Sequence, residues 1–173
     1  MEGRPRGRLF SMKNAALEYY DEVVCPALKE AEEQPLSKHR VLGLIAIVDA
    51  FSAYVFEALK EEEPNTISAQ KDDSGYRNYL AKRSLDFRLF RDLAKAQKHV
   101  VLKHGKPEVT TASQLESKTL GYGQGAFGEG PYSGSEQFVL VGNDGHIRNV
   151  IALSKQVMEI LIIELKVDIS SQP

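Results

Sequence analysis

Asp92 and His99 are seven residues apart within the segment Ser84–Lys103. On an α-helix that spacing stacks them on one edge, two turns apart. An imidazole titrates near neutral pH and can serve as a general acid or base, so His99 is the leading candidate for proton transfer. Asp with His could also begin a metal site, but a closed or catalytic site needs at least a third ligand at suitable spacing, and none is evident. No metal and no cofactor are therefore expected.

The same segment carries an apolar stripe of Leu85, Leu89, Leu93, Ala96 and Val100, with Asp92 and His99 on its edge and Arg88 and Lys103 close beside them. A polar group on a core-facing edge costs free energy unless partnered. Asp49 poses the same problem inside the most apolar run of the chain, with His39 and Arg40 near the start of that run. These positions predict a polar network of Asp49, Arg88, Asp92, His99 and Lys103 that ties two long helices together. The partners expected for Asp49 on this reading are His99, Arg88 or Lys103. Charge is uneven as well: Arg77 to Lys106 contains nine Lys or Arg residues against two acidic ones, Asp86 and Asp92. Arg91, Lys95 and Lys98 share a helix face away from the apolar stripe, and such a strip can follow an RNA phosphate backbone. The plainer alternative is a solvated face balanced by acidic runs such as Glu61–Glu63.

Gly123 to Gly128 satisfies the pattern GxGxxG. A dinucleotide fold needs that pattern between a strand and a helix, whereas here the next helix lies some twenty residues on. A kinase needs HRD and DFG motifs downstream, and neither is present. Nucleotide binding is excluded on those grounds. The wider stretch 121–134 alternates glycine with rings, which suits an extended loop whose Tyr122, Phe127 and Tyr132 pack on the protein's own helices or on a partner.

The elements that must position these groups follow from periodicity and breakers. A helix from Ser11 to about Glu33 contains Pro26, which should kink it or divide it in two. A second runs from about Ser37 to Glu62 and is apolar on most sides, which predicts a central position. A short helix over Gly75–Ser84 leads to a third long helix from Ser84 to about Lys103. Two β-leaning pieces follow, Glu108–Ala112 and Gln137–Val141, then a turn at Gly142–Gly145 and a last helix from about Val150 to Leu165. The expected fold is mainly α: an antiparallel bundle of about four long helices with a β-hairpin excursion over 107–149. The domain would span 10–166, between a basic tail at 1–9 and a second tail at 167–173.

Composition sets the outer limits. At 173 residues the chain suits one domain, and its net charge of −2 provides no global field toward nucleic acid or anionic membrane. The single cysteine, Cys25, precludes an intramolecular disulfide and reads as a small buried hydrophobe. Residues 1–8 lack the apolar core of a secretory signal. Val41–Leu59 approaches membrane-spanning length, but Asp49 at its middle would cost about 3 kcal/mol in a bilayer. A cytoplasmic protein without membrane contact is expected.

Pro26-Ala-Leu, the His39-Arg-Val-Leu helix leading to Asp49, the segment Arg91–His99, and a Gly/aromatic loop before a strand–turn–helix occur here in that order. Together they resemble a group of small uncharacterised bacterial α-helical proteins, a likeness spanning most of 19–165. It implies that Asp49, Asp92, Lys98 and His99 belong to one arrangement. More distantly the chain is similar to HEPN-type helical domains, several of which are ribonucleases of bacterial defence. Their signature separates arginine and histidine by four to six residues; Arg91 and His99 have seven between them and lie about 80° apart around the helix. Two functions follow. The first is a helical interaction protein that binds a protein partner or its own copy. The alternative is a metal-independent ribonuclease in a defence or toxin system, with His99 as acid or base and Arg91 or Lys98 stabilising phosphate charge.

Overall fold

The computed structural model describes residues 11–62, 64–67, 69–119 and 136–165. It is mainly helical, with one small antiparallel sheet. Helix α1 (Met12–Tyr19) passes through a π-helical turn, Tyr20–Val24, into α2 (Cys25–Glu33). The expected interruption at Pro26 takes this form. Proline has no N–H to donate and its ring crowds the carbonyl one turn back, and a widened π turn just before it relieves both constraints.

Helix α3 (Lys38–Glu62) is the centre of the fold and packs against α1, α2, α5, α6 and α7. Val48, Phe51 and Val55 have no exposed surface. Its apolar character on most sides reflects that central place. It is the one described helix long and apolar enough to cross a membrane, with 25 residues and an 18-residue stretch of mean hydropathy 1.8, and 56% of that stretch is buried within the protein. Helices α4 (Pro64–Ile67) and α5 (Asp73–Arg83) follow, with Asp72 Oδ1 accepting from the Gly75 amide at 2.7 Å to cap α5.

Helix α6 spans Leu85–His99, and Ser84 Oγ caps it by accepting from the Phe87 amide. It ends four residues short of Lys103. The Val101 amide donates to the His99 carbonyl at 2.7 Å, which closes a γ-turn around Val100 at φ 64° and ψ −47°. Positive φ is unfavourable for a β-branched residue, so the turn holds strain. That reversal stops the helix and sends 101–107 back along it.

The sheet has the order β1 (Leu115–Thr119), β2 (Glu136–Val141), β3 (Ile147–Asn149), with antiparallel neighbours. Gln137–Val141 is a strand as expected. Glu108–Ala112 is not: it contributes only a bridge between Thr111 and Val101, and pairing passes to Leu115–Thr119. Gln114 accounts for the shift. Its Oε1 accepts from the Thr110 and Thr111 amides while its Nε2 donates to the Val141 carbonyl, so a side chain takes the backbone bonds a strand would have used. Gly145, at φ 80°, closes the turn between β2 and β3. Asn149 then caps α7 (Val150–Glu164), accepting from the Ala152 amide at 2.8 Å.

Candidate anion-binding cleft

One face of α6 presents Arg88, Arg91, Asp92, Lys95 and His99, each with a neighbour three or four residues away, which keeps the run on a single side of the helix. Asn78, Ala81 and Lys82 of α5 stand opposite by the same periodicity. The returning segment Val101–Pro107 forms the third wall. Together they enclose an open cleft of about 1070 Å³. Its basic residues are Lys82, Arg88, Arg91, Lys95, Lys103 and Lys106, joined by His99 and His104, and among the described residues the carboxylate lining it is that of Asp92.

The third wall is anchored at several points. Arg88 donates to the Lys106 carbonyl at 2.8 Å and pairs with Glu108 at 3.0 Å. The Glu108 amide donates to Asp92 Oδ2 at 2.8 Å. Asn143, in the β2–β3 turn, donates from its side chain to the Pro107 carbonyl and from its backbone to the Glu108 carbonyl. A loop held this way presents its lysines at defined positions.

Asp92 has 2% of its surface exposed, and both its oxygens are taken: Oδ1 by Arg91 at 2.8 Å and 3.2 Å, Oδ2 by the Glu108 amide. Arg91 also donates to Asn78 at 2.7 Å, so its guanidinium is oriented by two neighbours. Asp49, on α3, is buried too. It pairs with Lys98 at 2.6 Å and stands 3.8 Å from Arg77, which also donates to the Asp49 carbonyl and pairs with Asp73.

The five residues expected to share one network are therefore divided. Asp92 and Arg88 meet at Glu108, whereas Asp49 belongs to a separate cluster with Lys98 and Arg77. His99 and Lys103 are exposed, and their side chains make no hydrogen bond or ion pair among the described residues. Both lie at or beyond the end of α6, where the γ-turn has already left the packed stripe. Of the candidate catalytic set, His99 and Arg91 line the cleft, and Lys98 is directed to Asp49 instead. Tyr122, Phe127 and Tyr132 lie outside the described residues. Among the described residues no three His, Cys, Asp or Glu side chains come together as a metal-binding group.

Sequence reasoning missed the roles of Arg77, Lys82 and the Glu108 amide. Arg77 and Lys82 sit on α5, whose contact with α6 no periodicity reveals, and a backbone amide leaves no compositional trace. Lys95 was visible as part of the basic face, but not its surroundings. Burial, with Arg91 beside it, holds the Lys95 ammonium below the ordinary lysine range, against the opposing pull of Asp92. Cys25 is partly buried, and burial raises its thiol while Tyr20 partly offsets the rise. That keeps the thiolate scarce and agrees with a packing role. Burial and Cys25 push Tyr20 up to about 12.

Comparison with protein-family models, with curated protein sequences and with solved structures gives no match for this chain.

Proposed function

We infer that the protein is a binding module whose ligand or partner presents phosphate, or a similar run of negative charge, to the cleft between α5, α6 and 101–107. One observation carries this reading: six Lys or Arg residues border the cleft, and among the described residues only two of them pair with a carboxylate, Arg91 with Asp92 and Arg88 with Glu108. A solvated basic face is ordinarily interleaved with acids. Here the excess is local, because the whole chain has a net charge of −2 and would repel polyanions in general. The strained γ-turn at Val100 adds support, since such strain tends to persist where a ligand or a catalytic group must be held.

Titration of the full chain with inorganic tripolyphosphate and with a short single-stranded RNA, at several salt concentrations, tests the reading. Binding should weaken linearly in log–log form with salt, and Lys103→Gln and Lys106→Gln should each lower the slope by about one for a polyanion that reaches them. Binding that is absent at low salt, or indifferent to the double substitution, would refute it.

The ribonuclease reading keeps one favourable feature, the exposed imidazole of His99 on the cleft wall. Against it, Arg91 is engaged by Asp92 and Asn78, and Lys98 by Asp49. It requires cleavage of the same RNA in EDTA, abolished in folded His99→Ala protein. RNA that is bound and recovered intact would leave binding as the activity.

A further inference from the structure

Lys95 lies midway along the cleft, one helical turn from Arg91 on one side and from His99 on the other. Among the described residues its side chain makes no ion pair and no hydrogen bond. The carboxylates that could have served it are occupied: Asp92 by Arg91 and the Glu108 amide, Asp49 by Lys98 and Arg77. Arg91 on its own helix and Arg77 on α5 lie close enough to disfavour its charge, and Lys82, Lys103 and Lys106 line the same cleft. An ion-pairing role is therefore already filled by its neighbours. What is left is a half-buried amine, open to a cleft that can hold an anion beside it.

We propose that Lys95 is the nucleophile of a carbonyl-binding site, whose amine condenses with the aldehyde or ketone of a small anionic ligand held by the surrounding cations. Desolvation and a neighbouring cation are the two established means of activating a lysine, and both act here. The nitrogen lone pair forms a bond to the carbonyl carbon while the carbonyl oxygen takes up a proton. The carbinolamine then loses that oxygen as water, so both amine protons leave with it and a carbon–nitrogen double bond remains. No electron is transferred and no further reactant is needed. The choice of an anionic ligand rests on the cleft reading above, whereas the reactivity of the amine does not.

The test uses the full chain with pyridoxal 5′-phosphate and with phosphate-free pyridoxal as aldehyde probes, brief exposure, borohydride reduction and peptide mapping. Lys95 should carry most of the adduct at low labelling, several-fold ahead of Lys98, although the Lys98 side chain is 56% exposed. Lys95→Arg should abolish that adduct while leaving the circular dichroism spectrum of the folded chain unchanged. The phosphorylated probe should react faster than pyridoxal, with inorganic phosphate protecting. Selective labelling of Lys95 by both probes alike, without protection, would uphold the nucleophile and remove the anion site. Adducts spread over the exposed lysines with Lys95 no faster would overturn the proposal, whatever phosphate does.

Discussion

Replacing Lys98 by methionine, in the wild type and in an Asp49→Leu background, measures the pair that links α6 to the central helix. Two limits bracket the cost. Removing one partner of a fully buried ion pair costs about 3–5 kcal/mol, whereas an exposed pair is worth about 0–1 kcal/mol. This pair has one end of each kind: the Asp49 side chain is 7% exposed and the Lys98 side chain 56%. Arg77, at 3.8 Å, stays beside the carboxylate when Lys98 is gone. Lys98→Met should therefore cost about 1.5 kcal/mol, near the lower limit for a buried group losing one of its partners. In the Asp49→Leu background the lysine can extend into water, so its removal should cost little, and the coupling should also be about 1.5 kcal/mol. His99→Ala, one residue along, touches neither group and should couple to Asp49 by less than about 0.5 kcal/mol. Urea unfolding followed by circular dichroism, with m-values compared across the cycle, gives both couplings. A Lys98 coupling near zero, or a His99 coupling of equal size, would refute the division into two clusters.

Asp92→Ala should destabilise by about 3 kcal/mol, because it strands a largely buried guanidinium and leaves the Glu108 amide without its acceptor. Faster hydrogen exchange at that amide should accompany the loss. Val100→Gly should stabilise by about 1 kcal/mol in denaturant unfolding, since relief of positive-φ strain outweighs the entropy of glycine and the residue is 65% exposed. Lys95→Met should stabilise at neutral pH, with an advantage that shrinks as pH rises. The folded ammonium titrates below its unfolded value, so its penalty is fully present below the folded pKa and disappears as pH approaches the unfolded value of 10.5. Thermal unfolding of both proteins across that range checks the sign.

Local chemistry was enough to read much of this protein from its sequence. Ser84 as a cap, the long apolar helix at 38–62, the break at Pro26, the strand at 137–141 and the turn at Gly142–Gly145 each depend on residues within a turn or two, so periodicity and backbone restriction reveal them. The basic excess of 77–106 was equally visible, because charge is a matter of composition. The partners were not. Whether Asp49 meets Lys98 or His99 depends on which side of α6 faces α3, and consecutive residues on a helix differ by about 100°. The γ-turn at Val100 and the claim of Gln114 on the amides of 110 and 111 likewise depend on bonds that only the folded chain brings within reach. Sequence alone determined which helices form and where positive charge accumulates. Only tertiary packing decided which charges are neutralised in pairs and which remain around a cleft, because pairing is set by the rotation and return path of elements far apart in the chain.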